Sequence, residues 1–380
     1  MPTRAAPLIA LALATTSLVA CGADGPAEPA PLSEEALAAV GDDPGAPTKA
    51  RAREVDDLFT MDGLGETRAL IVMHNGNIAA ERYGEGYDAG TRFVSWSMAK
   101  TLTAILIGQL VGDGLLQLDR PAPVPRWQRS GDPRADITLR HLLQMRSGLE
   151  HTEAGDPPWE SSEVRMLFLD GRDDMADYAT AQPPEAEPGE RFEYSSNTSV
   201  ILSDIAARTL SQSSAPEARR RAVADYLQAR LFDPLGMTSA VPEFDRAGTL
   251  IGGSLVHANA RDWARLGELL RRKGSHEGEQ LVPRSWVAEM VKPSPVSPHY
   301  GLQTWLNRPL EDESEEEHPL FPTRAPHSAF AMIGHMGQYV FVSPEQGLTV
   351  VRLGHSNHAE RVAMLQQLAD IVELYPVSGR

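Results

Sequence analysis

Lysine and cysteine are almost missing from this chain: among 380 residues there are four of the first and one of the second, Cys21. A single cysteine excludes any intramolecular disulfide. Basic charge is scarce as a whole, with 35 Lys and Arg against 52 Asp and Glu and a formal net charge of −17. That balance argues against nucleic acid and against an anionic membrane surface as partners. Part of the acidity is one run, Glu311-Asp312-Glu313-Ser314-Glu315-Glu316-Glu317, which reads as a solvated loop between strands. The sequence also holds no Gly-x-Ser-x-Gly elbow, no His-Glu-x-x-His pair and no phosphate-cradling glycine loop. His355 and His358 stand three apart without cysteines or a carboxylate pair nearby, so they read as a helix start. No metal and no cofactor are expected.

What is present begins with export. Arg4 precedes an apolar stretch from Ala5 to Ala20, too short to span a bilayer as a mature helix and suited to a removable signal. Leu18-Val19-Ala20-Cys21 resembles a bacterial lipoprotein signal, in which cleavage before Cys21 leaves that residue to carry lipid. Acyl chains contribute about 0.8 kcal/mol per buried CH₂, so several would hold the protein to a membrane. Gly22 in place of aspartate implies, by the same resemblance, a lipid-anchored envelope protein at the outer membrane or facing the periplasm. Residues 1–20 are therefore assigned to the signal. Residues 21–55, rich in Ala, Pro, Glu, Asp and Gly, are assigned to a flexible tether.

Beyond the tether the length suits one large or two interlocked domains. Ala69 to His74 and Asn77 to Tyr83 read as strands joined by Asn75-Gly76, a hairpin signal. From about 136 to 298 helical spacing dominates, with Thr138 placed to cap Leu139 to Met145. Strands return at Tyr300 to Leu306, Phe330 to Ile333, Gln338 to Val342 and Leu348 to Leu353, and a closing helix runs from His358 to Leu374. The expected architecture is α/β: an antiparallel sheet domain from 56–135 and 299–380 flanked by helices, with a mainly helical subdomain, 136–298, inserted.

One of the four lysines carries the chemistry. Ser97-Met98-Ala99-Lys100 opens an apolar helical run through Leu102, Ile105, Leu106 and Leu110. Positions i and i+3 share a helix face, which sets the Lys100 amine beside the Ser97 hydroxyl. A serine is a poor nucleophile until a neighbouring base takes its proton, and a shielded lysine can be that base. Alone the motif is common, and its bland reading is a surface lysine one turn past a cap. The apolar frame of Phe93, Val94 and Trp96 argues for burial instead.

Two further motifs follow in order. Phe192-Glu193-Tyr194-Ser195-Ser196-Asn197 and Ile333-Gly334-His335-Met336-Gly337-Gln338, with Ser97-x-x-Lys100, resemble the serine β-lactamase and penicillin-binding-protein superfamily. The resemblance is to the branch of class C β-lactamases, esterases and 6-aminohexanoate-dimer hydrolases, and it covers roughly residues 56 to 375. It implies a β-lactamase/transpeptidase-like fold and an acyl-enzyme on Ser97. It makes Tyr194 the second proton carrier and Ser196 the polar group facing Lys100, with Asn197 in reserve. By the same resemblance the backbone N–H of His335, after Gly334, pairs with that of Ser97 as an oxyanion hole. A shifted alignment puts the His335 imidazole on the substrate and makes Gln338, after Gly337, the donor.

For this chemistry Lys100, with a reference pKa near ~10.4, must be driven toward neutrality by desolvation or must hold a Tyr194 phenolate in place. Where the family has Lys-Thr-Gly the chain has Met332-Ile333-Gly334, and Met332 cannot meet a substrate carboxylate. The expected activity is therefore hydrolysis of a small ester or linear amide. The alternatives are a β-lactamase or D-Ala-D-Ala carboxypeptidase and, outside enzymes, a penicillin- or wall-binding receptor that acylates without turnover. Trp159, Tyr300 and Trp305 read equally as cleft lining and as packing, and His141 as a structural hydrogen-bonder. Oligomeric state is not encoded in any of these features.

Overall fold

The structure, a computed structural model, describes residues 31–309 and 318–377. Cys21, the signal and the acidic run lie outside the described residues.

Strands β1 (Glu66–His74) and β2 (Asn77–Tyr83) form the expected hairpin. Its two turn residues, Asn75 and Gly76, take φ of 51° and 88°, the left-handed pair that a two-residue hairpin turn needs. The remaining strands come from the far end of the chain: β3 (Trp305–Leu306), β4 (Phe330–Gly334), β5 (Gln338–Ser343) and β6 (Leu348–His355). They complete a six-stranded antiparallel sheet in the order β2-β1-β6-β5-β4-β3, with β1 paired directly to β6 from Glu66↔His355 to His74↔Leu348. The stretch from Tyr300 contributes less strand than its sequence suggests, since only Trp305 and Leu306 join the ladder.

Alternation along the strands feeds two cores. Leu70, Val72, Phe341 and Val350 face α1 (Thr48–Thr60) and α5 (His358–Glu373) through Val55, Leu58, Leu368 and Val372. Ala69, Ile71, Val340, Val342 and Val351 face the opposite way, toward α4 (Ala260–Arg271) and its buried Trp263, Leu266 and Leu270. Helix α2 (Ala99–Gly112) is buried at every position from Ala99 to Leu110, so it runs through the middle of the molecule rather than over it. It meets α3 (Ser196–Leu210), the longest helix of the inserted region.

The expected tether is corrected in its described part. Helix Glu34–Ala38 and the first half of α1 lie within residues 31–55, with Ala36, Ala46, Ala52 and Val55 buried. Small side chains need little area to pack, and the buried Arg51 ties the segment down by donating to the carbonyls of Ala46 at 3.0 Å and Gly41 at 2.7 Å. Thr138 does cap its helix: its hydroxyl accepts from His141 N at 3.1 Å, while the His141 ring accepts from Thr138 N, the structural role expected of that histidine.

Candidate active site

Ser97 sits in a short 3-10 turn, Trp96–Met98, that runs straight into α2. The turn is pinned from behind. Phe93–Val94 pairs with Val256–Ala258, Ser95 N donates to Val256 O at 2.8 Å, and Ser95 Oγ accepts from Val256 N at 3.1 Å. Between these anchors and α2, Trp96 is held at a φ of 45°, a conformation that bulky residues avoid. Ser97 reaches a cleft of about 710 Å³ whose walls include Trp96, Glu153, Glu163, Tyr194, Trp305 and His335.

Lys100 is 1% exposed and directs its Nζ at three oxygens: Ser97 Oγ at 3.0 Å, Ser196 Oγ at 2.8 Å and the Gly253 carbonyl at 2.9 Å. The Gly253 contact explains the Gly252-Gly253-Ser254 stretch. Thr103 Oγ1 of α2 donates to Gly252 O at 2.8 Å, which brings this backbone against the helix. Ser196 is thus the residue that faces the lysine. Asn197 is buried next to it with neither side-chain amide atom bonded, and it does not reach Lys100.

Beyond Ser196 stand two carboxylates that sequence reasoning did not single out. Ser196 Oγ lies 2.6 Å from Glu153 Oε1 and 3.0 Å from Glu163 Oε1, and Ser196 N donates to Glu153 Oε2 at 2.7 Å. Glu153 Oε2 also meets His151 Nε2 at 2.6 Å, and Glu153 Oε1 lies 3.8 Å from Lys100 Nζ. Burial opposes the charge of Glu153, but Lys100, His151 and Ser196 overcome it and hold this carboxyl below its ordinary range. Burial together with the Glu153 charge pushes the Glu163 carboxyl up.

The same groups act on Lys100. Burial works against its charge, but Tyr194, Glu153 and Glu163 outweigh burial and hold the amine above its ordinary range. Of the two states the sequence allowed, this direction favours the charged lysine, because α2 buries it beside the Glu153 carboxylate rather than among apolar groups alone. Tyr194 lies just ahead of α3, where Ser195 caps the helix by accepting from Thr198 N at 3.2 Å. Its ring stacks on Trp305 at 5.3 Å and stands edge-on to Tyr300 at 6.0 Å, while Lys100 Nζ lies 4.7 Å from its centroid. Burial, helped by the Glu153 charge, raises the Tyr194 phenol against the pull of Lys100 and of a hydrogen bond with Ser97.

The third motif forms the hairpin turn between β4 and β5. Gly334 pairs with Gln338, leaving His335, Met336 and Gly337 in the loop, with Met336 and Gly337 left-handed at 57° and 81°. A Cβ on Gly334 would stand 2.3 Å from Ser95 O, so only glycine lets this strand edge lie against the Trp96–Met98 turn. The His335 ring crosses that gap to meet Trp96 edge-on at 5.5 Å. Gln338 is the donor of the shifted alignment. Its side chain is buried and spent on backbone, with Nε2 2.6 Å from Gly354 O and 3.1 Å from His335 O, and Oε1 accepting from Gly354 N at 3.0 Å. The buried Arg352 adds a hydrogen bond to Gly337 O at 2.9 Å, so the turn is braced from the sheet side.

Of the aromatic candidates, Trp305 lines the cleft, Tyr300 is buried behind Tyr194, and Trp159 is exposed. Met332 is buried in the sheet core, as a residue that cannot contact substrate. A cation does reach the cleft from elsewhere: Arg361 lines it from the start of α5, with His358 beside it. Nothing in the motif spacing signals that approach. Among the described residues no cluster of His, Cys, Asp and Glu could hold a metal ion, and no helix is long and apolar enough to cross a membrane.

The family profile described as Beta-lactamase matches residues 66–373, from β1 to the end of α5. The chain belongs to this family. A 6-aminohexanoate-dimer hydrolase of Paenarthrobacter ureafaciens is 25% identical over 236 residues, 59% of this chain and 57% of that enzyme, so the chain matches little more than half of this relative's length. Among solved structures, a putative 6-aminohexanoate-dimer hydrolase from Bacillus anthracis superposes with a TM-score of 0.65 at 23% identity, over 92% of this chain and 88% of the other. A family VIII carboxylesterase superposes with a TM-score of 0.60 at 16% identity, over 85% and 97%. At these identities the superpositions speak for the fold alone.

Proposed function

We propose that this member of the beta-lactamase family is a serine hydrolase that cleaves ester or linear amide bonds through an acyl-enzyme on Ser97. One observation carries the reading: Lys100 Nζ lies 3.0 Å from Ser97 Oγ at the wall of a cleft that Tyr194 shares. Ser97 Oγ attacks the substrate carbonyl as its proton leaves through the Lys100–Tyr194 pair, and Tyr194 returns a proton to the leaving group. The backbone N–H groups of Ser97 and His335 face the developing oxyanion. Each such donor contributes about 2.7–4 kcal/mol to the transition state. Water then releases the acyl group by the same relay in reverse. The names of the matched hydrolases support amide and ester substrates, and the largely apolar walls suit a neutral chain on either side of the scissile bond.

A second reading has one observation in its favour. Arg361 supplies the cation that Met332 does not, so a substrate carboxylate, as in a β-lactam or a D-Ala peptide, has a place to dock. A panel of p-nitrophenyl esters, linear oligoamides, nitrocefin and D-Ala-D-Ala peptides separates the two. The expected result is turnover of esters or oligoamides well above nitrocefin, abolished in Ser97→Ala with the fold intact. Fluorophosphonate labelling that survives in Ser97→Ala would place the nucleophile elsewhere. An acyl adduct that persists for hours would support a receptor that does not turn over.

A further inference from the structure

We propose that Glu153 is a positioning residue that decides which neighbour takes the Ser97 proton. The inference rests on the acyl-enzyme reading and assigns the base within it.

The hydrogen bonds around Lys100 leave one of its three contacts undecided. Gly253 O has no hydrogen and can only accept. Ser196 Oγ has one hydrogen, and the Glu153 carboxylate 2.6 Å away takes it, so toward Lys100 this hydroxyl also only accepts. The third contact, Ser97 Oγ, can run either way. An ammonium donates to Ser97 and leaves the serine proton to Tyr194; a neutral amine accepts the serine proton itself.

To act as a base, the Lys100–Tyr194 pair must first lose one proton to solvent. The proton it keeps rests either on Lys100, leaving a Tyr194 phenolate, or on Tyr194, leaving a Lys100 amine. Glu153 opposes a phenolate on Tyr194 as well, but it is Lys100 Nζ that its Oε1 meets at ion-pair distance, 3.8 Å, so its direct attraction in a buried setting favours the first arrangement. Its orientation is fixed by Ser196 N, Ser196 Oγ and His151 Nε2. The charged and titratable groups that face Lys100 and Glu153 from the surrounding elements are His151, Glu163, Tyr194 and, behind Tyr194, Tyr300. With Glu153 in place, the Ser97 proton passes to the Tyr194 oxygen as Ser97 Oγ bonds the carbonyl carbon, and Lys100 keeps its three protons throughout.

The test begins with the wild-type protein. With only four lysines in the chain, [13Cε]lysine labelling yields few resonances, and Lys100→Arg assigns the one that matters. The Lys100 signal should keep its ammonium position while ester hydrolysis rises with pH; a signal that titrates with the ascending limb overturns the proposal. In Glu153→Gln the lost negative charge lets the pair release its proton more easily, so the ascending limb should move about 1 pH unit lower. Glu153→Asp, which keeps the charge, should restore it. Tyr194→Phe should cost about 10²–10⁴ in kcat in the wild type and less than about 10-fold in the Glu153→Gln background, where Lys100 becomes the base. An unmoved limb with an unchanged Tyr194→Phe penalty overturns the inference while fluorophosphonate still labels Ser97. Loss of that labelling in the wild type overturns the acyl-enzyme reading itself.

Discussion

Gly334 and Ser95 touch backbone to backbone, so closely that the Ser95 carbonyl oxygen occupies the space a Cβ on residue 334 would need. This contact holds the end of β4, and with it residue 335, against the Ser97 turn. Gly334→Ala should therefore part β4 from Ser97 and lower kcat by about 10²–10³, the range for loss of one oxyanion donor, with KM affected less. Steady-state kinetics on an ester, with near-ultraviolet circular dichroism as the check on folding, reads it. Unchanged kcat would remove His335 from the oxyanion hole.

Lys100 and Tyr194 should not contribute independently. Each alone, as Lys100→Ala or Tyr194→Phe, is expected to cost about 10²–10⁴ in rate, and the double variant should be little worse than either. A relay with one link missing has already failed to move the Ser97 proton. Multiplicative losses in the double-mutant cycle would instead demote Tyr194 to packing against Trp305.

Cys21 is expected to carry the lipid. Cys21→Ser should leave the membrane fraction and incorporate no labelled palmitate. With no second cysteine in the chain, continued incorporation could not be assigned to another thiol.

What the sequence made legible was local. The i,i+3 spacing of Ser97 and Lys100, the Asn75-Gly76 turn and the Thr138 cap are decided within a few residues, and the structure holds all three geometries. The partners of Lys100 were legible only as far as a motif reached, which yielded Ser196 but not Gly253, Glu153 or Glu163. These stand on loops and a short helix far along the chain, with no period to mark which way a glutamate turns. Glu153, Asp156, Glu160 and Glu163 follow one another in a mixed stretch, and nothing in their spacing marks which of them turn inward. The side-chain partners of Gln338 were out of reach for a related reason: alternation along β5 says that it leaves the plane of the sheet, but not that Gly354 claims its amide. Residues 31–55 misled through composition, because alanines that look too small to build a core can still fill a narrow gap beside a sheet.

The pairing of β1 with β6 has a consequence in time. The ladder that joins Glu66 to His355 lies in the middle of the sheet, so its two halves come from opposite ends of the synthesis order. Until the last strand has been made, β1 and β2 are an isolated hairpin, marginal in water. Contacts this distant along the chain form late. The sheet of the nascent polypeptide therefore stays open until the chain is nearly complete.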